Sequence, residues 1–247
     1  MDLLSCFLGC YEELRQEGLT SFLPSLFKAS SGGVMQVIVL ASQKGGSGKT
    51  TLSGHLAVEA QRGDKVVVCV DTDAQGGLTD WWNARNLETP ALSTAGTGGL
   101  KALLEKLAKA QVDYVVIDTP GQVSAEAQAT IRLADIVVIP VMPSPHDLRA
   151  VGKTVDTVVD TGRPMLFVVN RATQRARLTS EAAVVLSQHG TVAPVTIHSR
   201  TDFAASMIDG RTTNEIDPTG KSAAEVRELW AYILKRLDME KRSAAAT

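Results

Sequence analysis

The stretch Gln43-Lys44-Gly45-Gly46-Ser47-Gly48-Lys49-Thr50-Thr51 constrains the fold of this chain more than any other. It follows an apolar run, Val37-Ile38-Val39-Leu40, and precedes Leu52, Leu56, Ala57 and Ala60 at helical spacing. Strand, glycine-rich turn and helix is the context that a phosphate-binding loop needs. Its glycines let the backbone curl until successive N–H groups point inward, making a nest for phosphate oxygens. The helix that starts there adds its positive dipole end. In this reading Lys49 reaches the β- and γ-phosphates and the Thr50 hydroxyl takes Mg²⁺. The plainer alternative is a solvated Gly/Ser turn with two lysines, and the flanking strand and helix argue against it.

From Met35 onward, apolar runs alternate with segments of helical spacing. Strands are expected at 37–41, 66–70, 112–118, 136–140, 165–170 and 194–198. Helices are expected from the loop to about residue 61, around Trp81 and Trp82, and at 100–110, 125–133, 148–159, 181–188 and 222–241. The run Val66-Val67-Val68-Cys69-Val70 is apolar without alternation, which means burial on both faces and hence a parallel sheet. The expected fold is α/β: a doubly wound, mostly parallel sheet with helices on both faces, in a single domain. That domain spans 35–241, followed by a disordered tail at 242–247. Residues 1–34 form an N-terminal extension with two readings. It is an appendage docked on the domain, or upstream sequence joined to a natural start at Met35. The second fits better, because nothing in the nucleotide machinery needs residues before Met35.

A net charge of −2 over 247 residues gives no global sign of nucleic-acid binding, so any such surface is local. Cys6, Cys10 and Cys69 form no metal-binding pattern, as expected in a reducing cytoplasm. No apolar run is long enough to cross a bilayer, and the first residues lack the positive region of a signal peptide.

In an open parallel sheet, ligands bind beyond the carboxyl ends of the strands. Asp71, Asp73, Asp118 and Asn170 all fall at such ends. Asp118 reads as the carboxylate that orients a Mg²⁺-bound water; the alternative is a cap on the next helix. Asn170-Arg171 falls where a base-recognition loop belongs, and Thr173 stands where a guanine-reading loop would place Asp. Adenine is favoured, with the Asn170 amide on the base edge, although Asn170 also suits a plain strand-ending turn.

The ordinary loop pattern begins with glycine, yet here Gln43 holds that place and Lys44 follows it. The form K-G-G-x-G-K-[ST] resembles the deviant Walker A motif of the ParA/MinD family of ATPases. The resemblance covers nearly all of 35–237. It includes Asp71-Thr72-Asp73-Ala74-Gln75, the proline-rich turn at 139–145 and the tail 210–225. Thr119-Pro120-Gly121-Gln122 departs from it, since many relatives carry two prolines there.

The resemblance implies an ATPase that takes ATP and Mg²⁺. Lys44 to Thr51 (Lys44, Gly45, Gly46, Ser47, Gly48, Lys49, Thr50 and Thr51) and Asn170 would hold the nucleotide; Thr50, Asp71 and Asp118 would hold the metal. Asp71 would act through water, or else hydrogen-bond the loop. Asp73 would activate the attacking water, Lys49 would serve the protein's own nucleotide, and Lys44 would reach the partner's phosphates across an ATP-dependent homodimer. The implied partners are nonspecific double-stranded DNA, with Arg200 as first contact, and a ParB-like or cargo-adaptor protein that stimulates hydrolysis. The implied task is partitioning or positioning DNA or a large cargo, in a cytoplasmic protein that is nucleoid-associated when ATP is bound. Two alternatives stand beside it: an ATP-dependent synthetase or amidoligase of the same branch, and a MinD-like membrane-associated switch. Mixed charges on the last helix suit docking better than a membrane anchor.

Overall fold

The computed structural model describes residues 34–94, 97–122 and 124–245; most of the expected N-terminal extension lies outside them. Seven parallel strands form one sheet in the order β3-β2-β4-β1-β5-β6-β7. They are β1 (Gln36–Leu40), β2 (Val67–Asp71), β3 (Ala91–Thr94), β4 (Tyr114–Asp118), β5 (Ile136–Val141), β6 (Met165–Val169) and β7 (Thr191–Val192). The register pairs Leu40 with Asp118 and Asp118 with Asp71, so three strands end level at one rim. That rim is where the loop after β1 begins.

Helices cover both faces. On one lie α3 (Thr97–Lys109), α4 (Ala125–Ile131), α5 (Pro145–Val159) and α6 (Arg177–Ser187), packing Leu107, Ile131, Val155 and Leu186 against Val39, Ile117 and Phe167. On the other lie α1 (Lys49–Ala60), α2 (Gly77–Asn83), α7 (Thr201–Met207), α8 (Thr213–Ile216) and α9 (Lys221–Ala245). Here Leu56, Trp81, Phe203 and Trp230 meet Ile38, Cys69 and Leu166. The inner strands are buried throughout, which is why their sequences run apolar without alternation. Helix α1 is buried nearly all round: even Ser53, His55 and Glu59 are enclosed. A side chain at Gly54 would stand 3.1 Å from the Trp81 ring.

Three expectations are corrected. β3 was missed, because Ala91-Leu92-Ser93-Thr94 is too short to show a pattern. The strand expected at 194–198 is β7 at Thr191–Val192, followed by an irregular edge that rejoins the sheet through a bridge between Ala172 and His198. Pro194 has no N–H to give to the ladder, so regular pairing stops before it. Helix α9 runs to Ala245, four residues beyond the bound expected, through good helix formers and an Arg236–Glu240 pair one turn apart.

Candidate nucleotide-binding site

The loop between β1 and α1 turns on two glycines in the left-handed region, Gly46 at φ 76° and Gly48 at φ 93°. A methyl at Gly48 would also overlap the Asn170 amide. Asn170, buried at the end of β6, donates its Nδ2 to the Ser47 carbonyl at 2.7 Å. Next to it, Arg171 donates to the Gly46 carbonyl at 2.9 Å. The loop is therefore braced from β6 before any ligand arrives. One of the two N–H groups of the amide is spent on that brace.

Lys49 is buried within the loop, and desolvation holds its pKa below the usual lysine range against the pull of Asp118 and Asp73. Thr50 Oγ1 donates to Asp118 Oδ2 at 2.6 Å. Burial pushes the Asp118 carboxyl up to about 7; the Thr50 hydrogen bond and Lys49 lower it, and the neighbouring Asp71 and Asp73 raise it further. Its other oxygen, Oδ1, is buried with no hydrogen-bond partner, and so is the Ser47 hydroxyl. An orphaned carboxylate oxygen beside a threonine hydroxyl fits a Mg²⁺ ion that completes its shell with phosphate oxygens and water. Among the described residues no cluster of three His, Cys, Asp or Glu side chains forms an all-protein cage. Magnesium of this kind needs none.

Asp71 hydrogen-bonds the segment that follows β2. Its Oδ2 accepts from the Thr79 amide at 2.9 Å and hydroxyl at 2.8 Å, and its Oδ1 accepts from the Asp73 amide at 3.0 Å. Both oxygens are committed to the 73–79 segment, so Asp71 serves the loop. Asp73 is half-buried and spends one oxygen on the Gln75 amide. Gly121, after β4, lies close: a side chain there would meet Gly45 N at 3.4 Å and Lys49 Nζ at 3.5 Å.

Lys44 points elsewhere. Its ammonium is 2.6 Å from Asp147 on α5, and its side chain is 36% exposed. The residue before it is fastened to the same helix, with Gln43 N donating to Thr154 Oγ1 at 3.2 Å and Gln43 Nε2 to Thr157 Oγ1 at 3.4 Å. Asp147 is itself bonded to Ser144, the N-cap of α5. Sequence reasoning missed Asp147, although Ser144-Pro145-His146-Asp147 carries the spacing of a capping box.

Arg200, the DNA contact expected from the sequence, has its guanidinium 2.6 Å from Glu225 of α9 and its side chain 15% exposed. It lines a cleft of about 520 Å³ that runs from Gly46, Gly48, Lys49 and Thr50 to the wall formed by residues 197–204.

Residues 38–213 match the family model described as the CobQ/CobB/MinD/ParA nucleotide binding domain. The chain belongs to this family. Within it, the chain is 29% identical over 200 residues to "Maintenance of carboxysome distribution protein A" of Halothiobacillus neapolitanus, covering 76% of this chain and 91% of that one. It is 27% identical over 242 residues to "Chromosome-partitioning ATPase Soj" of Thermus thermophilus, covering 81% and 96%. In fold it resembles the septum site-determining protein MinD of Pyrococcus horikoshii complexed with Mg-ADP, with a TM-score of 0.70, 18% identity and coverage of 83% and 98%. The family name joins CobQ/CobB to MinD/ParA, so membership establishes a nucleotide-binding fold and leaves the reaction to the site. Among the described residues no helix is long and apolar enough to cross a membrane.

Proposed function

We propose that this chain is a Mg-ATP-driven switch of the ParA type, which dimerises on ATP and hydrolyses it under the stimulus of a partner to position DNA or a large cargo. The observation that carries this reading is the division of labour between two lysines of one loop. Lys49 is buried beside Asp118, where a bound triphosphate's β- and γ-oxygens belong. Lys44 is half-exposed, ion-paired to Asp147 and absent from the lining of the cleft at Lys49. A second cation at that place has a use when another copy brings its phosphates against it, as an arginine finger does in trans.

Thr50 would hold Mg²⁺ directly and Asp118 through water, and the ion would neutralise charge on the phosphates. Asp73 would orient the attacking water. It stands near enough to Lys49 and Asp118 for its charge to act on both. Nonspecific DNA contact falls to exposed Arg171 and Arg175 on the segment after β6, where residues 161–180 contain no acid. The stimulating partner would be a ParB-like or cargo-adaptor protein, and the ATP-bound form would be nucleoid-associated in the cytoplasm.

The test is size-exclusion chromatography with light scattering, with a nonhydrolysable ATP analogue and Mg²⁺. Wild-type chain should become a dimer and Lys44→Ala should stay a monomer while still binding the analogue. ADP release that needs a small-molecule acceptor, with no dimer, would move the assignment to the synthetase branch.

A further inference from the structure

The cleft has two ends of different chemistry. Phosphates belong at the loop end, so the nucleoside lies toward Leu52, Ile197, His198, Ser199, Arg200 and Phe203. One carboxylate organises the polar part of that wall. Glu225, 13% exposed on α9, accepts from the His198 backbone N–H at 3.0 Å and from His198 Nδ1 at 2.7 Å, and it is ion-paired with Arg200 at 2.6 Å. The same wall is tied back to β6, since Ala172 N donates to Ile197 O and Ser199 N donates to Ala172 O, both next to Asn170 and Arg171.

We infer that His198, fixed by Glu225, reads the purine base and selects a 6-amino group over a 6-oxo group. This rests on the nucleotide reading of the cleft. A carboxylate only accepts hydrogen bonds, so the Nδ1 beside Glu225 carries the proton. In the neutral ring Nε2 then has a lone pair and no hydrogen. The ring is 25% exposed and its residue lines the cleft, so the wall offers an acceptor near the nucleoside end. Asn170 also lines the cleft, and its amide oxygen is a second acceptor there, while one of its N–H groups is held by the Ser47 carbonyl. Two acceptors suit the exocyclic amine of adenine. They oppose the O6 of guanine or hypoxanthine, which would leave three acceptors facing one another. Arg200 would otherwise bring a donor to this wall, but Glu225 holds its guanidinium too. Glu225 is thus a positioning residue, acting through His198 and Arg200.

The experiment is calorimetric binding of ATP, inosine triphosphate, GTP and purine riboside triphosphate to the full chain. Wild type should bind ATP at least about tenfold more tightly than the two 6-oxo nucleotides, with purine riboside triphosphate between them. His198→Ala should weaken ATP binding and bring the four affinities to within about threefold of one another. Glu225→Gln can donate to Nδ1, which reverses the tautomer, and should shift preference toward inosine triphosphate. If His198→Ala keeps the full preference, or wild type binds all four alike, the base-reading role is overturned while the phosphate site stands. If wild type binds none of them, the nucleotide reading itself fails. The wild-type series needs no variant to fold.

Discussion

The Lys44 ammonium lies 2.6 Å from the Asp147 carboxylate, 103 positions further along the chain. The pair joins the loop that begins the site to the first turn of α5. Asp147 is buried and Lys44 is half-exposed, so the pair contributes on the order of 1 kcal/mol after solvent screening. For Lys44 to act in trans it must leave Asp147. Asp147→Asn keeps the shape and the Ser144 contact but removes the charge. It should favour the ATP dimer by about fivefold in dissociation constant, the equivalent of that energy. Sedimentation velocity against protein concentration checks this, and a weakened dimer would show that Asp147 is needed in the assembled state instead.

The brace from β6 makes a sharper claim about the loop. Asn170→Ala leaves the Ser47 carbonyl without its donor, an omission that costs roughly 1–3 kcal/mol in a buried setting. Melting temperature should fall and ATP should bind about tenfold more weakly. Gly48→Ala should do worse, since the new methyl meets both a left-handed backbone and the Asn170 amide. A Gly48→Ala protein that still binds ATP normally would mean that the loop rearranges on binding.

Asp73 separates a timer from a synthetase. Its carboxylate is half-buried, and only one of its oxygens is used by the Gln75 amide. Asp73→Ala should retain Mg-ATP, dimerise and stay on DNA, while partner-stimulated turnover falls by at least about a hundredfold. Phosphate release and DNA retention would be measured together. Loss of ATP binding instead would make Asp73 a structural residue of the 71–79 turn.

His55 sets a pH dependence of stability. It is fully buried in α1, with Nδ1 on the Thr51 carbonyl at 2.8 Å and Nε2 accepting from the Thr213 amide at 3.2 Å. Desolvation is the main cause that lowers its pKa to about 4, from 6.5 when unfolded. Between these values the unfolded chain binds the extra proton and the folded one does not. Stability from this group is therefore complete above pH 6.5 and is lost as pH falls toward 4, by on the order of 3 kcal/mol. Denaturant unfolding at pH 7.5 and pH 5 should show the loss, and His55→Gln should remove most of that slope. An unchanged slope in the variant would assign the acid sensitivity to other groups.

For DNA, Arg175→Glu should weaken binding to any duplex alike and lower the salt slope by about one ion. Arg200→Ala should leave the salt slope unchanged, because its guanidinium is held by Glu225. Filter binding across a salt series distinguishes them, and the reverse result would restore Arg200 as the DNA contact.

The loop from Lys44 to Thr51, the parallel sheet and the carboxylates at the strand ends were legible in the sequence, because each is set locally. Glycines fix the turn, unbroken apolar runs imply burial on both faces, and a residue that ends such a run falls at the rim. The partners of these residues were not legible. Asp147 finds Lys44, Asn170 finds Ser47 and Glu225 finds His198 and Arg200 only after β5, β6 and α9 have been packed beside the loop. Arg200 looked like any exposed arginine in the sequence, and packing placed a carboxylate against it. Asp71 and Asp118 both end strands in register, yet Thr79 claims both hydrogen bonds of one Asp71 oxygen while Asp118 keeps one oxygen unpartnered. Local sequence thus determined which chemistry is present and at which end of the sheet it lies. Tertiary packing decided which charges are neutralised and which polar atoms stay open, because desolvation and hydrogen bonding depend on neighbours that the chain brings from far away.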